Sequence, residues 1–122
     1  MTWAGIPYAA GGESRSGADC WGLVRLYIRE ELGVVLPDIG RDGDAWRLAA
    51  GQVADTGWQK VTSFSRHGDV LLFRLPGAIL HVGVMLPDGR FLHVMEGGSS
   101  RIDLLAHDPW RSLLIGVYRW TG

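Results

Sequence analysis

The fold is decided by residues 17–33, GADCWGLVRLYIREELG, which contain the strongest periodic pattern of the chain. Apolar side chains recur there at the spacing of one face of an α-helix, at Cys20, Leu23, Val24, Tyr27 and Ile28. Asp19 is a typical N-cap residue, and Gly33 is typical of the left-handed residue that ends a helix. The stretch therefore predicts an amphipathic helix that begins directly after Asp19.

Downstream of Trp58 the pattern changes to short apolar or alternating stretches separated by turn residues. The predicted strands are 69–75 (DVLLFRL), 80–86 (LHVGVML), 90–95 (RFLHVM), 100–105 (SRIDLL) and 114–120 (LIGVYRW). A weaker helical pattern covers roughly Asp44 to Val53. A helix followed by antiparallel strands predicts an α+β fold, with the sheet packed on the cysteine-bearing helix.

Composition limits the protein to one domain and excludes several classes of partner. The 122 residues, 1–122, suffice for a single core, and a formal net charge of -1 argues against nucleic acid as a ligand. The single cysteine excludes an internal disulfide, and no apolar run has the length of a membrane span. The N-terminus lacks a signal-peptide pattern, so we expect synthesis in the cytoplasm without an export signal. No cofactor is expected.

Cys20 lies in the first turn of the predicted helix, where unpaired N–H groups and the macrodipole favour an anion. Together with a nearby imidazolium, this position predicts a lowered thiol pKa and a reactive thiolate. The plainer alternative is that Cys20 is simply the first buried residue of the apolar stripe, since free cysteine is often buried.

Two histidines lie on the strands flanking Pro87-Asp88-Gly89. If these three residues form the loop, Leu86 pairs with Arg90 and Gly83 with His93, which puts His81 and His93 on one face as diagonal neighbours. A two-residue turn would put them on opposite faces.

Such a pair suits a base and a residue that orients it. In this interpretation His81 takes the thiol proton of Cys20 and His93 holds the imidazole in the correct tautomer. A zinc site with the same three ligands is an alternative, although the paired ligand spacing of zinc modules is missing. Either histidine alone is as well explained as an ordinary half-buried residue, as are His67 and His107 beside their turns.

Several motifs in order resemble the NlpC-type cysteine peptidases, which cut bacterial cell-wall peptides and have a papain-like fold. These motifs are PYAAGG (7–12), GADCWGLVRLY (17–27), HGDVLLF (67–73), HVGVMLPDGRFLHV (81–94) and GVYRW (116–120), so the likeness runs from about Ile6 to Trp120. The resemblance implies Cys20 as nucleophile, His81 as base and His93 as its orienting partner. It also implies that the Tyr8 hydroxyl helps to hold the oxyanion, with the backbone N–H of Cys20 as the other donor.

The resemblance also implies a substrate, an amide between D-glutamate and a diamino acid in the peptidoglycan stem peptide. Asp19 matches a residue that holds a substrate amine, although its role as helix cap fits equally well. Trp21 stands at a substrate-binding position where many cell-wall recycling members have a small hydroxyl residue, so the resemblance does not fix the cleavage specificity. Gly22 matches a glycine that permits close approach of the sheet, and Asp69 is interpreted as structural.

The CWGLVR form resembles peptidases of phage and prophage tail tips. The expected partners are then peptidoglycan peptides and tail-tip proteins, and the expected location is the virion tail, acting at the bacterial cell wall. Two alternatives stay open. One is a structural tail-tip or tail-assembly component with little catalysis, and the other is a papain-like amidase or acyltransferase on another substrate.

Overall fold

The computed structural model describes residues 2–37 and 57–122, so the weak helix predicted over Asp44 to Val53 lies outside the described residues. The elements in chain order are β1 (Glu13–Ser14), β2 (Gly17–Ala18), α1 (Cys20–Leu32), β3 (Trp58–Lys60), β4 (Val70–Leu75), β5 (Ile79–Met85), β6 (Arg90–His93), β7 (Arg101–Leu104), α2 (Trp110–Leu113) and β8 (Leu114–Trp120). The predicted α+β class is confirmed.

Helix α1 begins and ends where the sequence predicts. The Asp19 carboxylate accepts a hydrogen bond from the Gly22 N–H at 2.7 Å, which satisfies one of the free donors of the first turn. Gly33 ends the helix at φ 70°, and its N–H donates to the Arg29 carbonyl at 3.1 Å. The helix therefore has a fixed N-terminus, and this fixes the position of Cys20.

The main sheet has six antiparallel strands in the order β3-β8-β4-β5-β6-β7. All five predicted strands are present, with ends within about two residues of the predicted ones. The last strand, β8, lies between β3 and β4, so the C-terminal stretch crosses back to the start of the sheet.

Both faces of the central strands are buried, which explains the apolar run of residues 70–73 in β4. One face packs on α1, and its core contains Leu23, Val24, Tyr27, Ile28, Val70, Leu72, Val82, Val84 and Leu92. The opposite face carries a smaller cluster around the short helix α2, made of Leu71, Phe73, Met85, Phe91 and Trp110. Alternation along β5 thus sends Val82 and Val84 to the helix and Met85 to the other face.

Among residues 2–37 and 57–122, the structure has no helix that is long and apolar enough to cross a membrane.

Gly22 is required by a close backbone contact. A Cβ at this position would overlap the carbonyl oxygen of Gly12, which also accepts from the Asp19 N–H at 3.2 Å. The absence of a side chain at Gly22 therefore lets the loop before β1 pack directly on the first turn of α1. The glycine admits this loop, whereas the family resemblance had implied approach of the sheet.

We expect Gly22→Ala to lower the free energy of unfolding by about 2 kcal/mol. Overpacking costs up to about 3 kcal/mol, and alanine recovers only about 1 kcal/mol of helix propensity over glycine. Urea denaturation followed by circular dichroism measures the change. Gly33→Asn is the matched control, because asparagine tolerates the left-handed conformation and nothing lies within 4 Å of an added Cβ there. Equal losses for the two variants would show that the contact with Gly12 does not matter.

Candidate active site

Cys20 is the first residue of α1, and its sulfur lies against strand β5. Burial raises the pKa of the thiol above its ordinary value, while the backbone N–H of Val82 opposes this by stabilising the thiolate. The Asp19 carboxylate raises the pKa further, and the N–H groups of Trp21 and Cys20 lower it. Because the Val82 N–H belongs to the peptide bond that follows His81, the sulfur lies beside the backbone of that histidine.

Cys20 and His81 line the same cleft, which has a volume of about 210 Å³. Its walls are mostly apolar, and one acidic side chain lies among the lining residues, which are Tyr8, Cys20, Leu75, Ile79, Leu80, His81, Val94, Met95 and Glu96. Three of the four residues predicted to be catalytic, Tyr8, Cys20 and His81, therefore meet at one cleft.

His81 and His93 are hydrogen-bonded to each other, with Nε2 of His81 lying 2.8 Å from Nδ1 of His93. The hairpin has the predicted register. Val84 pairs with Leu92, and the Leu86 N–H donates to the Arg90 carbonyl at 2.8 Å across a three-residue loop. The prediction that both histidines lie on one face is thus confirmed.

Gly83 lies two residues after His81 on β5 and faces β6, and its missing side chain allows the two strands to pack closely. A Cβ there would lie only 2.9 Å from Phe91 Cδ2 and 3.1 Å from the Leu92 carbonyl oxygen. The atoms that fill the space beside Gly83 therefore belong to the neighbouring strand β6.

The histidine pair lies among aromatic rings on the sheet face opposite α1. His81 is 4% exposed and His93 is fully buried, and both rings contact Phe73, Phe91 or Trp110. Burial, with a smaller contribution from His93, lowers the pKa of His81 to about 3. Burial also lowers the pKa of His93, although the Asp103 carboxylate opposes it. Both rings are therefore neutral at pH 7, and His81 is available as a base.

Asp103 extends this chain of hydrogen bonds, and sequence reasoning missed it. Its Oδ2 lies 2.7 Å from Nε2 of His93 and accepts a hydrogen bond from Arg101 Nε at 2.8 Å. Its Oδ1 accepts a hydrogen bond from Arg101 Nη2 at 3.2 Å. The available signal was the alternation of Arg101 and Asp103 on one strand. The long connection from 94 to 100 left the register of that strand against His93 undecided.

The lowered thiol pKa predicted from the helix N-terminus is wrong for this site. The prediction assumed an imidazolium beside the sulfur, but burial keeps His81 neutral and raises the pKa of Cys20 instead. The resting site therefore holds a thiol and a neutral imidazole, with the proton on the sulfur.

Tyr8 is positioned by main-chain contacts. Its N–H donates to the Gly98 carbonyl at 3.0 Å, and its backbone forms a parallel bridge to Ala18, two residues before the cysteine. Both carboxylate oxygens of Asp19 accept backbone hydrogen bonds, from the Gly22 N–H at 2.7 Å and from the Gly11 N–H at 2.9 Å. Asp19 therefore caps the helix and also holds the preceding loop. Contact of Asp19 with a substrate amine stays a prediction.

Trp21 does not lie in the cleft. It is 3% exposed, belongs to the core cluster of α1 and packs near Trp58 with ring centroids 6.2 Å apart. The side chain of this second helix residue packs in the core near β3. This burial corrects the prediction that Trp21 contacts the substrate.

Other polar residues have structural partners. His67 Nε2 lies 2.6 Å from the Tyr27 hydroxyl, and Asp69 receives two hydrogen bonds of 2.8 Å from Arg119. The zinc alternative is disfavoured because both ring nitrogens of His93 are engaged, with His81 and with Asp103. In the described part of the chain, no cluster of three His, Cys, Asp or Glu side chains has an arrangement that could hold a metal ion.

Comparison with known proteins agrees with this geometry. The pattern of the NlpC/P60 family matches residues 5–119. Escherichia coli K12 has a relative named murein DD-endopeptidase MepS/murein LD-carboxypeptidase, 28% identical over 109 residues, which are 89% of this chain and 53% of that protein. The chain thus spans about half the length of this curated relative.

Two solved structures share the fold. A Bacillus cereus NlpC/P60 family protein superimposes with a TM-score of 0.70 at 22% identity, covering 98% of this chain and 37% of that chain. The NlpC/p60 domain of the peptidoglycan hydrolase SagA gives a TM-score of 0.63 at 23% identity, covering 96% of this chain and 89% of that chain.

The raised thiol pKa predicts how Cys20 reacts with iodoacetamide in the absence of substrate. A group whose pKa is raised is less ionised at every pH below it, so we expect slower alkylation than that of glutathione at pH 7 and a rise that continues above pH 9. Mass spectrometry measures the rate, and Cys20→Ser should take up no label because the chain has no other cysteine. A rate plateau between about pH 5 and 8 would instead indicate a preformed thiolate–imidazolium pair.

Proposed function

This chain belongs to the NlpC/P60 family, and we propose that it is a cysteine peptidase that hydrolyses an amide bond in peptidoglycan stem peptides. The observation that carries the proposal is the cleft in which Cys20, at a helix N-terminus, meets His81, whose ring is held by His93 at 2.8 Å. A thiol, a neutral imidazole and an orienting partner are the groups that nucleophilic amide hydrolysis needs. The names of the relatives, a murein endopeptidase and a peptidoglycan hydrolase, support the substrate class.

In the first step the thiol proton of Cys20 moves to the imidazole of His81 as the sulfur bonds to the amide carbonyl carbon. The tetrahedral intermediate then collapses, the carbon–nitrogen bond breaks, and His81 gives the proton to the departing amine. A thioester between Cys20 and the acyl part of the substrate remains.

In the second step water attacks the thioester carbon and gives a proton to His81. The carbon–sulfur bond breaks, the sulfur recovers the proton from His81, and the second product leaves as a carboxylic acid. His81 acts as base and then as acid in both steps, so its neutral resting state suits it.

The negative charge on the carbonyl oxygen needs hydrogen-bond donors during both steps. Tyr8 lines the cleft beside Cys20, and the first N–H groups of α1 point towards the sulfur. We assign the Tyr8 hydroxyl and the Cys20 backbone N–H as these donors.

The bond between D-glutamate and the diamino acid is the proposed cleavage site, from the family resemblance. The name of the Escherichia coli relative specifies DD and LD bonds of murein, so the products have to be assigned at each peptide bond. Association with a phage tail tip is suggested by the resemblance of the CWGLVR form, and stays a prediction that detection of this chain in purified virions would test.

We expect Cys20→Ala and His81→Ala each to abolish cleavage of purified peptidoglycan fragments, since nucleophile and base act as a unit. Liquid chromatography with mass spectrometry identifies the products and the bond cut. Ser16→Ala, an exposed change in the loop before the helix, is the control that should leave activity unchanged. A wild-type protein inactive on every wall fragment, with a Cys20→Ala variant that fails to fold, would favour the structural role.

Tyr8→Phe should lower kcat by roughly ten- to a thousandfold, because the upper end corresponds to loss of one oxyanion donor. The effect on KM should be small if the hydroxyl acts in the transition state rather than in substrate binding. Steady-state kinetics on a defined stem peptide separates the two. An unchanged kcat would remove Tyr8 from the mechanism.

A further inference from the structure

A continuous chain of hydrogen bonds through four side chains leads from the active-site cleft to the protein surface. His81 Nε2 lies 2.8 Å from His93 Nδ1, His93 Nε2 lies 2.7 Å from Asp103 Oδ2, and Arg101 Nε donates to the same oxygen at 2.8 Å. Exposure rises along the chain, from the fully buried His93 to Asp103 at 22% and Arg101 at 59%.

We infer that Asp103, held by Arg101, is a positioning residue that fixes the tautomers of both histidines and so directs the basic nitrogen of His81 towards the thiol. The inference rests on the proposed function only for its effect on catalysis. The direction of the hydrogen bonds is a property of the resting protein.

The direction follows from the number of protons available. Asp103 is ionised: partial burial raises its pKa, but hydrogen bonds from Arg101 and His93 outweigh this and lower it. An ionised carboxylate only accepts hydrogen bonds, so Nε2 of His93 must carry the proton between them. A neutral imidazole has one N–H, which leaves Nδ1 of His93 as an acceptor.

The same reasoning applies one step further along the chain. Because Nδ1 of His93 accepts, Nε2 of His81 must be the donor across the 2.8 Å contact. A neutral His81 then has its lone pair on Nδ1, and this nitrogen can take a proton. In the reverse direction His81 would carry its proton on Nδ1 and could not serve as a base there.

Arg101 keeps the end of the chain in place. His93 pairs with Arg101 across β6 and β7, and Asp103 is the diagonal neighbour two residues along β7. The guanidinium only donates, so it holds both carboxylate oxygens as acceptors by its contacts of 2.8 and 3.2 Å. This arrangement leaves the carboxylate with one role towards His93, that of acceptor.

Two variants separate this role from simple packing. Asp103→Leu removes the acceptor, whereas Asp103→Asn keeps an uncharged oxygen that can accept. Two-bond ¹⁵N–¹H spectra of the whole chain, recorded without substrate at pH 7, report which nitrogen of each ring carries the proton. We expect both His81 and His93 as the Nε2–H tautomer in the wild type, a slightly weakened preference in Asp103→Asn, and a mixture in Asp103→Leu.

Kinetics should follow the same order. We expect kcat to fall several-fold in Asp103→Asn, whose amide oxygen still accepts from His93, and roughly ten- to a hundredfold in Asp103→Leu, with little change in KM, because loss of the correct tautomer removes part of the contribution of the general base. Glu30→Leu is the matched control, because Glu30 also pairs with an arginine, Arg15 at 3.5 Å, but is an exposed residue of α1. This variant should change neither the tautomers nor kcat.

Three outcomes would overturn the inference. They are a single Nε2–H tautomer of His81 in Asp103→Leu, a loss of kcat in Asp103→Leu without any change of tautomer, and an Asp103→Asn variant that loses as much kcat as Asp103→Leu while its tautomers stay unchanged. If Asp103→Leu does not fold, an unchanged kcat in Asp103→Asn overturns it. If the wild type cleaves no wall fragment, the proposed function fails while the spectra still decide the tautomer question.

Discussion

The pairing register of β5 with β6 is the constraint on which the site depends. It aligns Val84 with Leu92, and it thereby brings His81 and His93 within 2.8 Å on one face of the sheet. A shift by one residue would turn one of the two side chains towards α1 and separate them. The three-residue loop and the missing side chain at Gly83 favour this register, so the loop and the close packing of β5 on β6 determine the geometry of the histidine pair.

The two faces of the sheet have different roles. Helix α1 covers one face with apolar side chains and brings its N-terminus, with Cys20, to the end of β5. The other face surrounds the histidines with Phe73, Phe91 and Trp110. This aromatic environment accounts for the neutral rings, since burial disfavours an imidazolium at His93 more strongly than the hydrogen-bonded Asp103 carboxylate favours it. At neutral pH the site therefore contains a deprotonated imidazole and a protonated thiol rather than a preformed thiolate.

Local patterns in the sequence were enough to predict much of this arrangement. The periodicity and caps of α1 and the odd loop length at Pro87-Asp88-Gly89 depend on neighbouring residues, and both predictions are confirmed. The position of Asp103 depends on how β7 returns after a long connection, and the inward orientation of Trp21 depends on where β3 lies. The thiol pKa depends on burial by the whole fold. These features require the tertiary structure, which periodicity alone does not encode.

The residues of the site come from three segments that different restraints hold in place. The loop with Tyr8 and the start of α1 are joined through Asp19, which binds Gly11 and Gly22 at once. The β5–β6 hairpin holds the histidines by register, and the pairing of His93 with Arg101 places β7 behind them. Asp103 is hydrogen-bonded to His93, and His93 to His81, so this route from the carboxylate to the cleft passes through two imidazole rings. Each ring has one proton to place, and for that reason a carboxylate near the surface can determine which nitrogen is basic in the cleft.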